Sequence, residues 1–204
     1  MRDQNELMVW LDLETFGLTP DTGPIIELGV VITDLDLNQI DAESWTMWSE
    51  VHELAWNHAS DLVRDMHTKS GLIQDARNNP DHASIKGVTA DFLQMMRVNG
   101  VEPKKQPMCG SSLRMDRLFL ATQALDIENF FHYRMIDVSA IKELCRRFNP
   151  RVFAQLSDDR RKQEADHRTL SDIQASADEL RFYLENFMFD AHDIKATATV
   201  EELA

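Results

Sequence analysis

The first fifty residues alternate apolar and polar positions in a way that predicts three β-strands. Residues 9–18 form an apolar run that ends in a turn at Gly17, and residues 25–34 are rich in Ile and Val. Residues 40–50 alternate well enough for a third strand, which a short polar link at Asn38 separates from the second. Two successive antiparallel hairpins are therefore expected.

From Asp61 the apolar period becomes helical, and helices then alternate with short strands. Two short helices are expected around Ser70 and Gly71. A strand over 131–138 should lead into a helix capped by Ser139. The other predicted elements are helix 82–98, strand 108–113, a helix over 115–120, helix 140–148 and helix 170–188. This order predicts an α/β fold with a mixed sheet flanked by helices.

Two carboxylates stand at the end of the first predicted strand. Residues two apart in a strand point to the same side, so Asp12 and Glu14 should converge. A divalent cation that prefers oxygen ligands would remove their repulsion, and Mg²⁺ or Mn²⁺ is the natural candidate. Acid-x-acid pairs are also common in an acidic chain, as Asp34 and Asp36 show. The spacing alone therefore leaves a plain surface pair open.

Length and composition indicate one globular domain. The chain has 204 residues, of which 43% are hydrophobic, and this is enough to bury a single sizeable core. No apolar run approaches the ~18–20 residues of a membrane span, and no signal-like segment follows the start. A cytoplasmic protein is expected, with Cys109 and Cys145 reduced and buried.

The net charge of −14 restricts how the chain could bind nucleic acid. A basic stripe that neutralises phosphates supplies most non-specific affinity. Only short basic clusters occur here, such as Lys104–Lys105 and Arg160–Lys162. The charge therefore favours short oligonucleotides, held by a few local phosphate contacts, over long strands.

Three further candidates for chemistry occur later in the chain. Asp116 lies in the first turn of a predicted helix, where it could simply complement the helix dipole. His167 and Asp172 straddle the start of the final helix, so both can face one cavity. Together with the two acids of the first strand they make four carboxylates and a histidine. Two-metal phosphodiester hydrolysis requires such a set, and an imidazole can accept the proton of the attacking water.

The pattern resembles the DEDDh family of 3′→5′ exonucleases, which share a ribonuclease H-like fold. The resemblance is carried by Asp12-x-Glu14 with Gly17-Leu18, by Asp116, and by His167-x-x-x-x-Asp172. One branch, oligoribonuclease, is matched more specifically between about residues 7 and 187. The matching segments are His67–Leu72, Ser112–Leu120, Phe131–Ser139, Lys142–Leu144 and His167–Ile173.

The resemblance implies a catalytic role for five residues. Four of them would bind two metal ions, with His167 as the general base. These four are Asp12, Glu14, Asp116 and Asp172.

The resemblance also implies how a short RNA would be held. Leu18 and His67 would lie against its bases, and Ser112, Arg134 and Ser139 would hold its 5′ phosphate end.

A homodimer is implied as well, in which Tyr133 and Arg134 reach the active site of the other subunit. Without the resemblance, these two residues would be interpreted as a half-exposed strand with one aromatic ring and one cation.

Three positions depart from the family pattern. Phe16 replaces a small residue, usually Thr, Leu62 replaces a Trp that wedges the bases, and Ala140 replaces a Thr after Ser139. These changes weaken the expected preference for dinucleotides. The Phe16 ring could turn toward the bases or lie in the core, and the sequence leaves both open.

We therefore expect a single exonuclease domain over 1–190, followed by an acidic tail over 191–204. Its function would be metal-dependent 3′→5′ hydrolysis of short RNA to nucleoside 5′-monophosphates. One alternative is a less selective DEDDh exonuclease acting on longer single-stranded DNA or RNA. Another is a ribonuclease H-like protein that only binds a partner, although the complete set of four acids and a histidine argues against it.

Overall fold

A five-stranded mixed sheet forms the centre of the computed structural model, which describes residues 6–21, 23–160 and 167–188. The spatial order is β3-β2-β1-β4-β5. β2 runs antiparallel to β1 and β3, whereas β4 runs parallel to β1 and β5. The strands are β1 Met8–Thr15, β2 Ile25–Thr33, β3 Gln39–Thr46, β4 Met108–Gly110 and β5 Met135–Asp137. The predicted hairpins and the mixed sheet are confirmed.

Helices cover both faces of this sheet. They are α1 Glu50–His58, α2 Asp61–Lys69, α3 Leu72–Asn78, α4 Ile85–Val98, α5 Arg114–Gln123, α6 Leu125–Phe130, α7 Val138–Phe148, α8 Pro150–Arg160 and α9 Thr169–Tyr183. A π-helical turn, Leu184–Met188, continues α9. No helix in the described ranges is long and apolar enough to cross a lipid bilayer.

The two faces of β1 belong to two different parts of the core. Val9 and Leu11 pack with α4, α5 and α6 on one face. Met8 and Trp10 pack with α7, α8 and α9 on the other. Side chains alternate along a strand, so the even-numbered positions that follow Trp10 also face α9. The periodicity of β1 therefore places Asp12 and Glu14 on the face of the sheet that packs against α9.

Two local predictions around residue 137 were wrong. The strand expected over 131–138 contains only Met135–Asp137. Phe131 turns into the core, and its neighbours Phe130 and His132 make isolated backbone hydrogen bonds to Lys104 and Gln106 in place of a strand ladder. The following helix is capped by Asp137, whose carboxylate accepts from the Ser139 amide, and not by Ser139.

Three helices were not predicted from the sequence. α1 has a weak apolar face, since Val51 and Leu54 are exposed, and α6 has only six residues. α8 did carry a signal, with Pro150 at its first position and apolar residues at 152, 153 and 156. α4 begins at Ile85, later than expected, because the residues before it pair with the end of β3.

Cys109 and Cys145 are free and buried, as predicted. The predicted acidic tail over 191–204 lies outside the described residues.

Candidate active site

β1 delivers Asp12 and Glu14 to the side of the sheet that carries α9. In the antiparallel register Asp12 lies opposite Gly29, and Glu14 lies opposite Glu27. Glu14 is buried at 8% exposure, and Asp12 is half-buried. Both carboxylates are therefore withdrawn from solvent, unlike a plain surface pair.

The start of α9 brings His167 and Asp172 to the same place. Asp172 lies in the first turn of α9, and its amide donates to the Arg168 carbonyl. One carboxylate oxygen of Glu14, one ring nitrogen of His167 and one oxygen of Asp172 lie within 4.8 Å of one another. Residues more than 150 positions apart in the chain therefore meet as the sequence predicted.

Asp116 completes the acidic set from α5. This helix follows β4, which pairs with β1 beside Trp10 and so places its first turn near the end of β1. Asp116 is buried at 8% exposure and accepts a backbone hydrogen bond from Leu13, the residue between the two strand acids. A helix-dipole role on the surface does not fit this burial.

The acids strongly perturb one another. Burial, followed by repulsion from Asp116 and Glu14, raises the pKa of Asp12 well above its usual value. Burial, followed by Asp172 and Glu27, raises the pKa of Glu14 to about 8, whereas Arg168 acts in the opposite direction. Burial raises the pKa of Asp116 to about 7.

Such a cluster holds protons at neutral pH unless another positive charge replaces them. Oxygen-rich, strongly repelling carboxylates are the donor set that hard divalent cations bind. The residues present therefore fit a divalent metal site.

His67 lies behind this cluster and not on the surface. Its side chain is fully buried, and its Nε2 lies 2.9 Å from the Thr15 carbonyl oxygen. A carbonyl only accepts, so Nε2 carries the proton and Nδ1 presents a lone pair. Nδ1 lies 3.8 Å from Glu14 Oε2 and has no hydrogen-bond partner within the described part of the chain. Burial lowers the pKa of His67, which keeps it neutral. From the sequence, His67 was expected to lie against the bases of an RNA, but a fully buried side chain cannot make that contact.

A largely buried ion pair lies next to His167 and was not predicted from the sequence. Glu27 is 1% exposed, and Arg168 Nη2 donates to its Oε1 at 2.9 Å while the Thr169 amide donates to its Oε2 at 3.1 Å. Arg168 also reaches the exposed Asp75 through Nη1 at 2.7 Å. The position of Arg168 directly after His167 was the available signal, but its partner 141 residues away could not be read from the sequence.

Asp137 organises the two serines predicted to hold a phosphate. Its carboxylate accepts from the amides of Ser112, Leu113 and Ser139 at 2.9–3.1 Å, and from the Ser139 hydroxyl at 2.6 Å. Ser112 has the left-handed backbone angle φ 59°, a conformation that needs such support. Arg134 precedes Asp137 in the chain, and its guanidinium carbon lies 5.5 Å from the centre of the Tyr133 ring.

The structure shows which of the two possible orientations the Phe16 ring adopts. The ring is 4% exposed and packs edge-on against Trp48 and His67 at centroid distances of 5.9 and 6.0 Å, and against Trp56 at 5.8 Å. It is therefore a core residue. Leu62, in contrast, is 77% exposed, so the position of the family's Trp lies on the surface.

Gln123 holds the loop that follows β1. Its Nε2 donates to the carbonyls of Pro20 and Gly23 at 2.8 and 3.1 Å, and its Oε1 accepts from the Ile25 amide at 3.1 Å. Leu18 projects from this loop at 84% exposure. A residue at the end of α5 thus fixes the segment that presents Leu18.

Two solved structures of exonuclease I have a similar fold. The zinc-bound complex of Escherichia coli exonuclease I with single-stranded DNA matches with a TM-score of 0.61 and 16% identity, over 94% of this chain. Exonuclease I of Methylocaldum szegediense matches with a TM-score of 0.62 and 17% identity, over 93% of this chain. The chain spans 45% and 43% of those proteins, and at such identity the likeness concerns the fold alone. The fold is that of the ribonuclease H-like exonucleases, as predicted.

The sequence comparisons are more specific. The model of the Exonuclease family matches residues 9–180. The oligoribonuclease of Burkholderia lata is 37% identical over 95% of this chain and 90% of that protein. The oligoribonuclease of Thiobacillus denitrificans is 38% identical over 89% of this chain and 94% of that protein. The chain belongs to the exonuclease family, in its oligoribonuclease branch.

Proposed function

We propose that this chain is a metal-dependent 3′→5′ exoribonuclease that hydrolyses short oligonucleotides to nucleoside 5′-monophosphates. The observation that carries the proposal is the convergence of Glu14, His167 and Asp172 within 4.8 Å, beside two further acids with raised pKa values. The two oligoribonuclease relatives, which match over nearly their whole length, support the same reaction.

Four carboxylates are proposed to hold two divalent ions, Mg²⁺ or Mn²⁺. Bound there, the ions would supply Lewis acidity at the scissile phosphate. The proposed ligands are Asp12, Glu14, Asp116 and Asp172. A ring nitrogen of His167 would take the proton of the attacking water, and burial of Glu14 and Asp116 limits competing solvent around the reacting atoms.

Substrate contacts are proposed for four residues outside the metal cluster, of which Leu18, Ser112 and Arg134 are exposed and Ser139 is half-buried. Leu18 would lie against a base, Ser112 and Ser139 would bind the 5′ phosphate, and Arg134 would reach that phosphate from the partner subunit. The shared hydrogen bonds of Asp137 support this grouping of the serines. A base contact is not proposed for His67, because its side chain is buried.

A second copy of the chain is the proposed partner. Tyr133 and Phe148 are 74% and 76% exposed, and Met135 and Leu144 nearby on β5 and α7 are also exposed. Such apolar exposure at the short edge strand β5 suits an interface. Tyr133 and Arg134 would then reach the partner's active site. Free, buried cysteines suit the reducing cytoplasm, which is the proposed location.

Digestion of end-labelled strands of two to about twenty nucleotides tests the proposal, in RNA and in DNA, with Mg²⁺ and with Mn²⁺. We expect the fastest hydrolysis for RNA of two to about five nucleotides, because a bound 5′ phosphate leaves no exit for a longer chain. Arg134→Ala should flatten the length preference by removing a charge-assisted phosphate contact. Hydrolysis that survives in excess EDTA would refute the metal-dependent reaction.

A less selective exonuclease on longer strands is the second candidate. It is favoured by one observation: Leu62 offers no ring to a base, and the Phe16 ring is buried and cannot replace it. Base–aromatic stacking contributes ~1–3 kcal/mol per base. Leu62→Trp should therefore sharpen the preference for dinucleotides by about tenfold. If the wild type degrades a twenty-nucleotide strand as fast as a dinucleotide, this second function replaces the first.

A further inference from the structure

Glu27 is a fifth acid in the site whose oxygens already have partners. It lies opposite Glu14 on the neighbouring strand and is 1% exposed. Its Oε1 accepts hydrogen bonds from Arg168 Nη2 and Nε at 2.9 and 3.2 Å, and its Oε2 accepts one from the Thr169 amide at 3.1 Å. With both oxygens engaged by donors, Glu27 is not placed to ligate a metal ion.

The two residues that Glu27 binds come directly after His167. His167 itself has the left-handed backbone angle φ 50°. A non-glycine residue keeps such a conformation only where its surroundings impose it. The contacts of Glu27 with Arg168 and Thr169 hold the backbone directly after His167, where α9 begins.

A close approach between the backbone of β2 and the Thr169 side chain also holds the start of α9 in place. Gly29 lies two residues along β2 from Glu27, and a Cβ at position 29 would overlap the Thr169 side chain. Thr169 is fully buried there. Glu27 thus holds the start of α9 against β2. Gly29 permits this close approach because it has no side chain.

We propose that Glu27 is a positioning residue for His167. Acting through Arg168 and the Thr169 backbone, it holds the imidazole against Glu14 and Asp172. This inference rests on the proposed function, in which His167 accepts a proton.

Steady-state kinetics of Glu27→Gln at saturating Mn²⁺ gives the first test. Glu27 touches no proposed substrate contact, so KM should stay within about twofold. A general base displaced by about 1 Å lowers the rate by up to ~10²-fold, so kcat should fall about 10- to 100-fold. The matched control is Asp75→Asn, which removes the exposed contact of Arg168 and leaves the Glu27 pair intact. Its kcat should stay within about threefold of wild type, as expected for an exposed pair.

A double-mutant cycle separates positioning from general damage. If Glu27 acts through His167, then Glu27→Gln should lower the rate no more than about twofold further in a His167→Ala background. Multiplying losses would mean that Glu27 acts elsewhere and would overturn the inference, as would an unchanged kcat in Glu27→Gln.

The His167 ring also reports its position without turnover. In the metal-free protein, its Cε1–H NMR resonance should shift in Glu27→Gln and stay in place in Asp75→Asn. An unshifted resonance in Glu27→Gln would overturn the inference. A wild type without nuclease activity would refute the proposed function, and the resonance would still test the positioning.

Should Glu27→Gln fail to fold, the variant Glu27→Gln/Arg168→Gln removes both charges and avoids an unpaired Arg168. It should show the same loss of kcat and the same shifted resonance. Wild-type kcat in a folded form of this variant would overturn the inference.

Discussion

We expect Asp12 to have opposite effects on stability with and without a metal ion. In the metal-free protein its carboxyl is crowded by Asp116 and Glu14, and burial disfavours its charge. With a bound cation the same crowded carboxylates would serve as the proposed ligand set. The pKa values of the neighbouring acids make this difference measurable through the pH dependence of stability.

We predict that the free energy of unfolding of the metal-free protein falls as the pH rises. The pKa of Glu14 is about 8 in the fold against 4.5 ordinarily, and that of Asp116 is about 7 against 3.8. The folded state binds these protons more tightly, so their contribution is complete below the ordinary pKa values. It is lost as the pH rises to about 8. Denaturant unfolding in EDTA across this range measures the slope.

Asp12→Asn should weaken this pH dependence and stabilise the metal-free protein near pH 8 by on the order of 1 kcal/mol. Saturating Mg²⁺ should reverse the order, because only the wild type keeps the full ligand set. Hydrolysis by the variant should fall by at least about 10³-fold. A flat pH profile, or a variant that is less stable than wild type in EDTA, would contradict the assignment.

At the scale of secondary-structure elements, the carboxylate of Asp137 joins β5, α7 and the turn before α5. Asp137→Ala removes the cap of α7 and the acceptor for the Ser112 and Leu113 amides. A cap contributes ~1 kcal/mol and each further hydrogen bond about 1 kcal/mol. We therefore predict a loss of about 2–3 kcal/mol in the free energy of unfolding, measured by denaturant titration.

The same change should raise KM for 5′-phosphorylated dinucleotides more than it lowers kcat, because Ser112 and Ser139 lose their common support. Asp137→Asn is the matched control, since its amide keeps one acceptor oxygen and should lose about half as much stability. An unchanged KM in Asp137→Ala would separate these serines from the phosphate.

What the sequence could predict here depended on local periodicity. The period of two in β1 paired Asp12 with Glu14, and the start of α9 paired His167 with Asp172. That the two pairs share one site was inferred from their joint chemistry and from the family resemblance. Contacts fixed by tertiary packing were not readable, such as Glu27 with Arg168 and the burial of His67. The strand over 131–138 was overpredicted because Phe131 packs into the core from a loop, and a pattern of apolar positions does not distinguish a loop residue in the core from a strand residue.

At the scale of the whole molecule, the proposed dimer makes each active site composite. Mixing an Asp12→Ala protein with an Arg134→Ala protein should form mixed dimers with one complete site. Random exchange would restore about a quarter of the wild-type activity on dinucleotides, because half of the dimers are mixed and each has one intact site of two.

The matched control mixes Asp12→Ala with Asp116→Ala. Both residues belong to the same subunit's site, so no mixed dimer contains an intact one and activity should stay absent. A fully active protein that light scattering shows to be a monomer at the assay concentration would rule out the composite site.

The three hydrogen bonds of Gln123 limit how this enzyme can be re-engineered. They tie the loop behind Leu18 to the last residue of α5, the helix whose first turn carries Asp116. Surface loops usually tolerate insertions, but a longer loop here would move the carbonyls of Pro20 and Gly23 away from the carboxamide that holds them. A helix of ten residues transmits a shift at one end to the other as a nearly rigid rod of about 15 Å. A variant with a different preference for substrate length should therefore be made by exchanging side chains while the length of this loop is kept constant.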